Sequence, residues 1–111
     1  MSKVEKTMAY KLRYLPLARQ DLDKAVFYLV NELGAFQAAD DLIAAVDTMA
    51  ISLKEMPYRF AVYPVLFALK NEVRCVPVGN YNLFYQVDEK AQTVLILRVL
   101  HQRQDIKSKL L

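Results

Sequence analysis

The 111-residue chain has no tryptophan, two glycines, four prolines, and one cysteine and one histidine. A lone Cys75 excludes an intramolecular disulfide, and a zinc site would lack its usual Cys and His ligands, so neither a metal nor a cofactor is expected. Uncharged stretches such as residues 60 to 69 fall far short of the roughly 20 residues that span a bilayer. The opening MSKVEKTMAY carries charges and no apolar core of a secretory signal, so a cytoplasmic location is expected. A large excess of either charge is also lacking. The net charge of +3 is mild for a general nucleic-acid binder.

What is present belongs to a packed globular protein: 55% hydrophobic residues, 24% charged residues and seven tyrosines. The length suits a single domain over residues 1–111, with residues 1–8 as a flexible extension. Residues 1 to 55 hold seven Lys/Arg against eight Asp/Glu, and residues 56 to 111 hold eight against four. An acidic partner is therefore expected to meet the second half.

Residues 9 to 15, AYKLRYL, alternate apolar and basic side chains with the period of a half-buried strand. Pro16 suits a first helical turn, and Ala18, Leu22, Ala25, Val26, Leu29, Val30 and Leu33 follow at helical spacing until Gly34 stops them. A second helix is expected from about Phe36 to Glu55, closed by Pro57. Past Met56 aromatic and β-branched residues take over. Four strands are expected, near residues 62 to 69, 72 to 78, 81 to 87 and 93 to 100, with Gly79 and Asn80 both able to take positive φ in a tight turn. The fold class is α+β: an N-terminal strand, a helical hairpin, and a three- to four-stranded antiparallel meander forming a curved sheet.

That order, with YLPLARQDLDKAVFYL near the start, MPYRF after the second helix and VRCVPVGNYNLFYQVDEKAQTVLILRVLHQRQDI at the end, resembles the RelE/ParE superfamily of bacterial toxins. The resemblance implies a small cytoplasmic toxin of a type II toxin–antitoxin operon of the plasmid-stabilisation type, neutralised by a cognate antitoxin. It also implies one of two targets. RelE-like members are ribosome-dependent messenger-RNA endonucleases, whereas ParE-like members poison DNA gyrase.

Metal-independent RNA cleavage needs a base for the 2′-hydroxyl, cations for the phosphorane, and an acid for the leaving oxygen. Arg74 stands in the strand where RelE-like enzymes keep a phosphate-gripping arginine. His101, the side chain type suited to proton transfer near neutral pH, matches the family's C-terminal pattern, with Arg103 beside it on the phosphate. Gln102 replaces an expected arginine, however, and Ile106 falls where a tyrosine would stand. VLHQRQD is closer to the VLHxRRD ending common among ParE-like sequences, so the gyrase reading is preferred. A ribosome-dependent nuclease using Arg74 and His101, and a degenerate member that only binds antitoxin, are the alternatives.

Each residue also has a plain structural role open to it. Arg74 could pair with a carboxylate and His101 could end a strand. Tyr81 and Tyr85 share a parity and should face one side, as core or as a stacking surface. Arg98, Arg103, Lys107 and Lys109 form a basic C-terminal stretch suited to a partner. Phe27, Tyr28, Phe36, Phe60 and Phe67 are not all assignable to the core; an exposed patch among them would need covering by antitoxin, or would drive homodimer formation in its absence.

Overall fold

The computed structural model describes residues 9–64 and 72–104. Its elements are β1 (Lys11–Tyr14), α1 (Pro16–Phe27), a π-helical turn (Tyr28–Glu32), α2 (Phe36–Ser52), β2 (Arg74–Val78), β3 (Tyr81–Asp88) and β4 (Thr93–His101). The strands form one sheet in the order β1-β4-β3-β2. No helix among the described residues is long and apolar enough to cross a membrane.

The α+β class and element order are those expected, but the sheet is mixed. β2, β3 and β4 pair antiparallel, while β1 lies parallel to β4, with Leu12 opposite Val94 and Tyr14 opposite Ile96. A parallel neighbour requires a crossover, and the helical hairpin is part of it. Of the strand expected at residues 62 to 69, Val62 makes one antiparallel bridge to Arg74, and the Tyr63 N–H donates to the Val73 carbonyl at 2.7 Å. Residues 65 to 69, Phe67 included, lie outside the described residues.

α1 opens on Pro16 directly after an extended Leu15, with no side-chain cap; proline removes one of the unpaired N–H donors of a first turn. The helix does not run evenly to Gly34. At Tyr28 it widens into the π turn, and the Ala35 N–H then closes on the Leu29 carbonyl at 2.7 Å across Gly34, whose φ of +62° only glycine adopts freely. α2 ends at Ser52, short of Glu55. The Ser52 hydroxyl donates to the Met49 carbonyl at 2.6 Å and the Leu53 N–H is shared between Met49 and Ala50, which tightens the last turn. In the β2–β3 turn only Gly79 takes a positive φ, +59°, as the first central residue of a II′ hairpin requires.

The main core lies between α2 and the sheet: Leu42, Val46, Ala50 and Leu53 meet Val76, Leu83, Tyr85, Val94, Ile96 and Val99, with Ala18 of α1. The opposite face has a smaller cluster of Val73, Phe84 and Leu100, covered by Tyr63, whose ring meets Phe84 edge-on at 5.2 Å. Cys75 packs half-buried against this second cluster, and burial raises its thiol pKa, as suits an inert side chain.

Candidate functional site

A β-bulge lies midway along the β3–β4 pair. Phe84 of β3 lies opposite Arg98 and Tyr85 opposite Ile96, so β4 carries one extra residue, Leu97. At this bulge Arg98 meets Asp21 of α1 in a two-point grip. Arg98 Nε donates to Asp21 Oδ2 and Nη2 to Oδ1, both at 2.8 Å, and the Val99 N–H donates to Oδ2 at 2.9 Å. The side chains are 14% and 9% exposed. Asp21 holds the guanidinium pKa above its ordinary value, chiefly by hydrogen bonding, while desolvation opposes the shift. Arg98 thus serves the fold from within the protein, and its sequence neighbours gave no hint of that. Asp21 did carry a signal: it is an acid inside the apolar stripe of Ala18, Leu22 and Ala25.

Arg74 is turned toward the loop after α2. Its Nη1 donates to the Phe60 carbonyl at 2.6 Å and the Tyr58 carbonyl at 3.4 Å, Nη2 lies 3.5 Å from Glu72 Oε1, and the guanidinium sits 5.1 Å from the centre of the Tyr58 ring. Tyr85, fully buried, donates its hydroxyl to the Pro57 carbonyl at 2.7 Å and so offers no surface to a partner. Arg74 and Tyr85 are opposite each other on β2 and β3, and together they tie down the loop.

His101 ends β4 opposite Tyr81, their rings edge-on at 5.2 Å. The Arg103 N–H donates to His101 Nδ1 at 3.1 Å, and the His101 N–H donates to Gln104 Oε1 at 2.6 Å. With Nδ1 engaged as an acceptor, the neutral ring carries its proton on Nε2. The Arg103 side chain is exposed, and Lys107 and Lys109 lie outside the described residues.

The sheet keeps Arg74 and His101 apart. Their partners on β3, Tyr85 and Tyr81, are four positions apart, and β3 lies between β2 and β4. At about 3.3 Å per residue and about 4.8 Å per strand, the two backbones are roughly 16 Å apart. Catalytic side chains acting on one phosphate must converge within hydrogen-bond reach of it. The structure does not bring these two together.

Two concavities flank α1. A groove of about 500 Å³ between α1 and α2 has Leu22, Val26, Phe27, Val30 and Ile43 in its lining and Asp23 and Asp47 among its charged groups. Phe27 is 62% exposed, and nearby in sequence Phe36 is 65% exposed. Within the groove the Tyr14 hydroxyl donates to Asp47 Oδ1 at 2.6 Å, with the Arg19 guanidinium 5.3 Å from the Tyr14 ring centre. Of the remaining aromatics in the expected patch, Tyr28 is exposed, while Phe60 packs against the core. A second cavity lies on the other side of α1, against the ends of β3 and β4.

A carboxylate at the far end of the sheet is held by two phenols: Glu89 accepts from Tyr10 at 2.7 Å and from Tyr58 at 3.0 Å. The Tyr10 phenol is pushed up to about 12, first by that hydrogen bond and then by burial. The Tyr14 phenol is also raised, by burial first and then by Asp47. Both raised pKa values mean that the folded protein keeps a proton which the unfolded chain begins to lose near the ordinary tyrosine value of about 10. Their contribution to stability is complete below about pH 10 and is lost as pH climbs toward and through the folded values. Urea midpoints should accordingly fall from pH 10 upward, and Tyr14→Phe should flatten that fall. An unchanged slope in Tyr14→Phe would contradict the assignment.

The family model described as ParE toxin of type II toxin–antitoxin system, parDE, matches residues 12–106. No curated protein matches the chain. Among solved structures, the chain is similar to one in the RelBE2 toxin–antitoxin complex from Mycobacterium tuberculosis, at 29% identity over 91% of this chain and 100% of that one, with a TM-score of 0.59. It shares the fold of a chain in the chromosomal ParDE system from P. aeruginosa, with 18% identity, 86% and 98% coverage and a TM-score of 0.66. The isolated E. coli RelE toxin has the same fold, with 18% identity, 92% and 95% coverage and a TM-score of 0.54. With the family model spanning nearly the whole fold, from β1 past the end of β4, the chain belongs to the ParE toxin family of type II toxin–antitoxin systems.

Proposed function

We propose that this toxin arrests growth by binding DNA gyrase, without turnover chemistry of its own, and that a cognate antitoxin neutralises it by laying an amphipathic arm in the groove between α1 and α2. The observation that carries the first part is the separation of Arg74 from His101, each already engaged with the protein's own backbone. A phosphate-cleaving site asks for convergent, unoccupied groups. A binding poison asks only for surface. The antitoxin reading rests on the family and on the exposed apolar lining of the groove, which suits the apolar face of a helix.

Two assays on purified protein separate the targets. The expected result is that messages in a translating extract stay intact while gyrase supercoiling stalls with trapped cleaved DNA. Site-specific message cuts that vanish in Arg74→Ala and His101→Ala would overturn the proposal in favour of a ribosome-dependent nuclease. Inertness in both assays, combined with tight antitoxin binding, would leave a chain that has kept only its partner.

A further inference from the structure

The cavity between α1 and the ends of β3 and β4 takes no part in the function proposed above. Its volume is about 310 Å³, and Asp21, Lys24, Tyr28, Tyr81, His101 and Gln104 are in its lining. Asp21 brings little free negative charge to it, because both carboxylate oxygens are taken up by Arg98 and the Val99 N–H. The Lys24 ammonium, the His101 Nε2–H and the hydroxyls of Tyr28 and Tyr81 have no hydrogen-bond or ion-pair partner among the described residues. Four residues that carry donors, one of them cationic and two of them phenols, therefore line one cavity. Tyr28 and Tyr81 are close enough that one phenol's charge disfavours ionisation of the other, although burial is the larger effect on Tyr81.

Each group has a distinct affinity. An ammonium and an imidazole N–H favour a phosphate, Lys acting as a point charge and the histidine as an oriented donor. Tyrosine rings favour the flat face of a base. The volume is near the lower end of the range for small-molecule sites, so it has room for one nucleotide unit and not for a duplex. We infer that this cavity binds a single nucleotide unit, its phosphate against Lys24 and His101 and its base against Tyr28 and Tyr81. The unit is either a free mononucleotide or one residue of a single strand. No bond is made or broken there; the inference rests on the reading of His101 as non-catalytic given above, and not on gyrase being the target.

The test uses the only histidine in the chain as its reporter, since the ring protons of His101 give signals that need no assignment in the untagged protein. The full chain is titrated with dAMP, with inorganic phosphate and with a short single-stranded oligodeoxynucleotide while those signals are followed by NMR. Saturable shifts are expected with dAMP, at lower concentration than with phosphate. Lys24→Gln, a helix-compatible change at an exposed position, should raise the dAMP Kd by about fivefold or more, whereas the remote Lys90→Gln should leave it unchanged. An oligonucleotide that binds about tenfold tighter than dAMP identifies a strand as the source, and equal binding identifies the free nucleotide. The inference is overturned if neither dAMP nor the oligonucleotide shifts His101, if phosphate alone binds as well as dAMP, or if the two lysine variants weaken binding alike.

Discussion

Asp21→Ala should lower the stability of the toxin by about 3 kcal/mol, the low end of the cost of removing one partner from a buried ion pair. The cause is less the loss of attraction than what remains. Arg98, 14% exposed, would keep its charge with most of its water removed, and the Val99 N–H at the bulge would lose its acceptor as well. For a domain of this length that loss corresponds to a fall in Tm of more than about 10 °C. Asp23→Ala, two residues away and exposed, should change stability by less than about 0.5 kcal/mol. The double variant Asp21→Leu, Arg98→Met should recover much of the loss, because an apolar pair avoids the desolvation cost of burying charge. A single Asp21→Ala variant as stable as the parent would show that the grip on Arg98 contributes little.

Phe27→Asp is the second large expected effect, and it falls on binding rather than on folding. Phe27 is 62% exposed in the free toxin, so its replacement should change stability by no more than about 0.5 kcal/mol. Covered by an antitoxin arm, the same ring would be an aromatic anchor of the kind that dominates interfaces, and a buried carboxylate in its place should weaken binding about a hundredfold or more. Ile43→Asp, on the α2 side of the groove, should act similarly. Met56→Asp is the control, since Met56 is 57% exposed but does not line the groove. Titration calorimetry with the antitoxin would read all three. Equal affinity for parent and Phe27→Asp would place the arm elsewhere on the toxin, while equal losses for Phe27→Asp and Met56→Asp would mean that any added negative charge repels it.

The limits of the element boundaries have local causes. Tyr10, Leu12 and Tyr14 announced β1 by alternation, and Pro16 and Gly34 bracketed the first helical segment, because each of these signals acts within a turn or two of chain. The π turn at Tyr28 and the early end of α2 at Ser52 were not legible. The first accompanies the Ala35 to Leu29 hydrogen bond across Gly34, and the second answers to a hydroxyl that can close a helix or point to water with little difference in free energy. Asn80 shows the same limit: it could take a positive φ, but a II′ hairpin asks this only of Gly79.

The candidate site was read less well than the fold. Arg74, His101 and Tyr85 were identifiable as chemically apt, yet residue type carries no information on distance or on which hydrogen bonds are already made. Arg98 looked like part of a basic tail because Arg103, Lys107 and Lys109 follow it, while Asp21, which it grips, is 77 positions earlier in the chain. Lys24 and Tyr28 lie one helical turn apart, a spacing that puts them on one face of the first helical segment, but nothing local said that Tyr81 and His101 would line the same cavity.

By itself the sequence determined the α+β class, the order of the elements and the toxin family, all of which rest on local propensity, hydrophobic period and motif order. Only the tertiary structure decided that β1 runs parallel beside β4, that Asp21 takes up Arg98, that Arg74 and His101 stand roughly 16 Å apart by the strand geometry, and that a donor-lined cavity lies against the last strand. Those facts are pairings between residues far apart in the chain. Their free energy depends on closing long loops and excluding water, which no local stretch of sequence specifies.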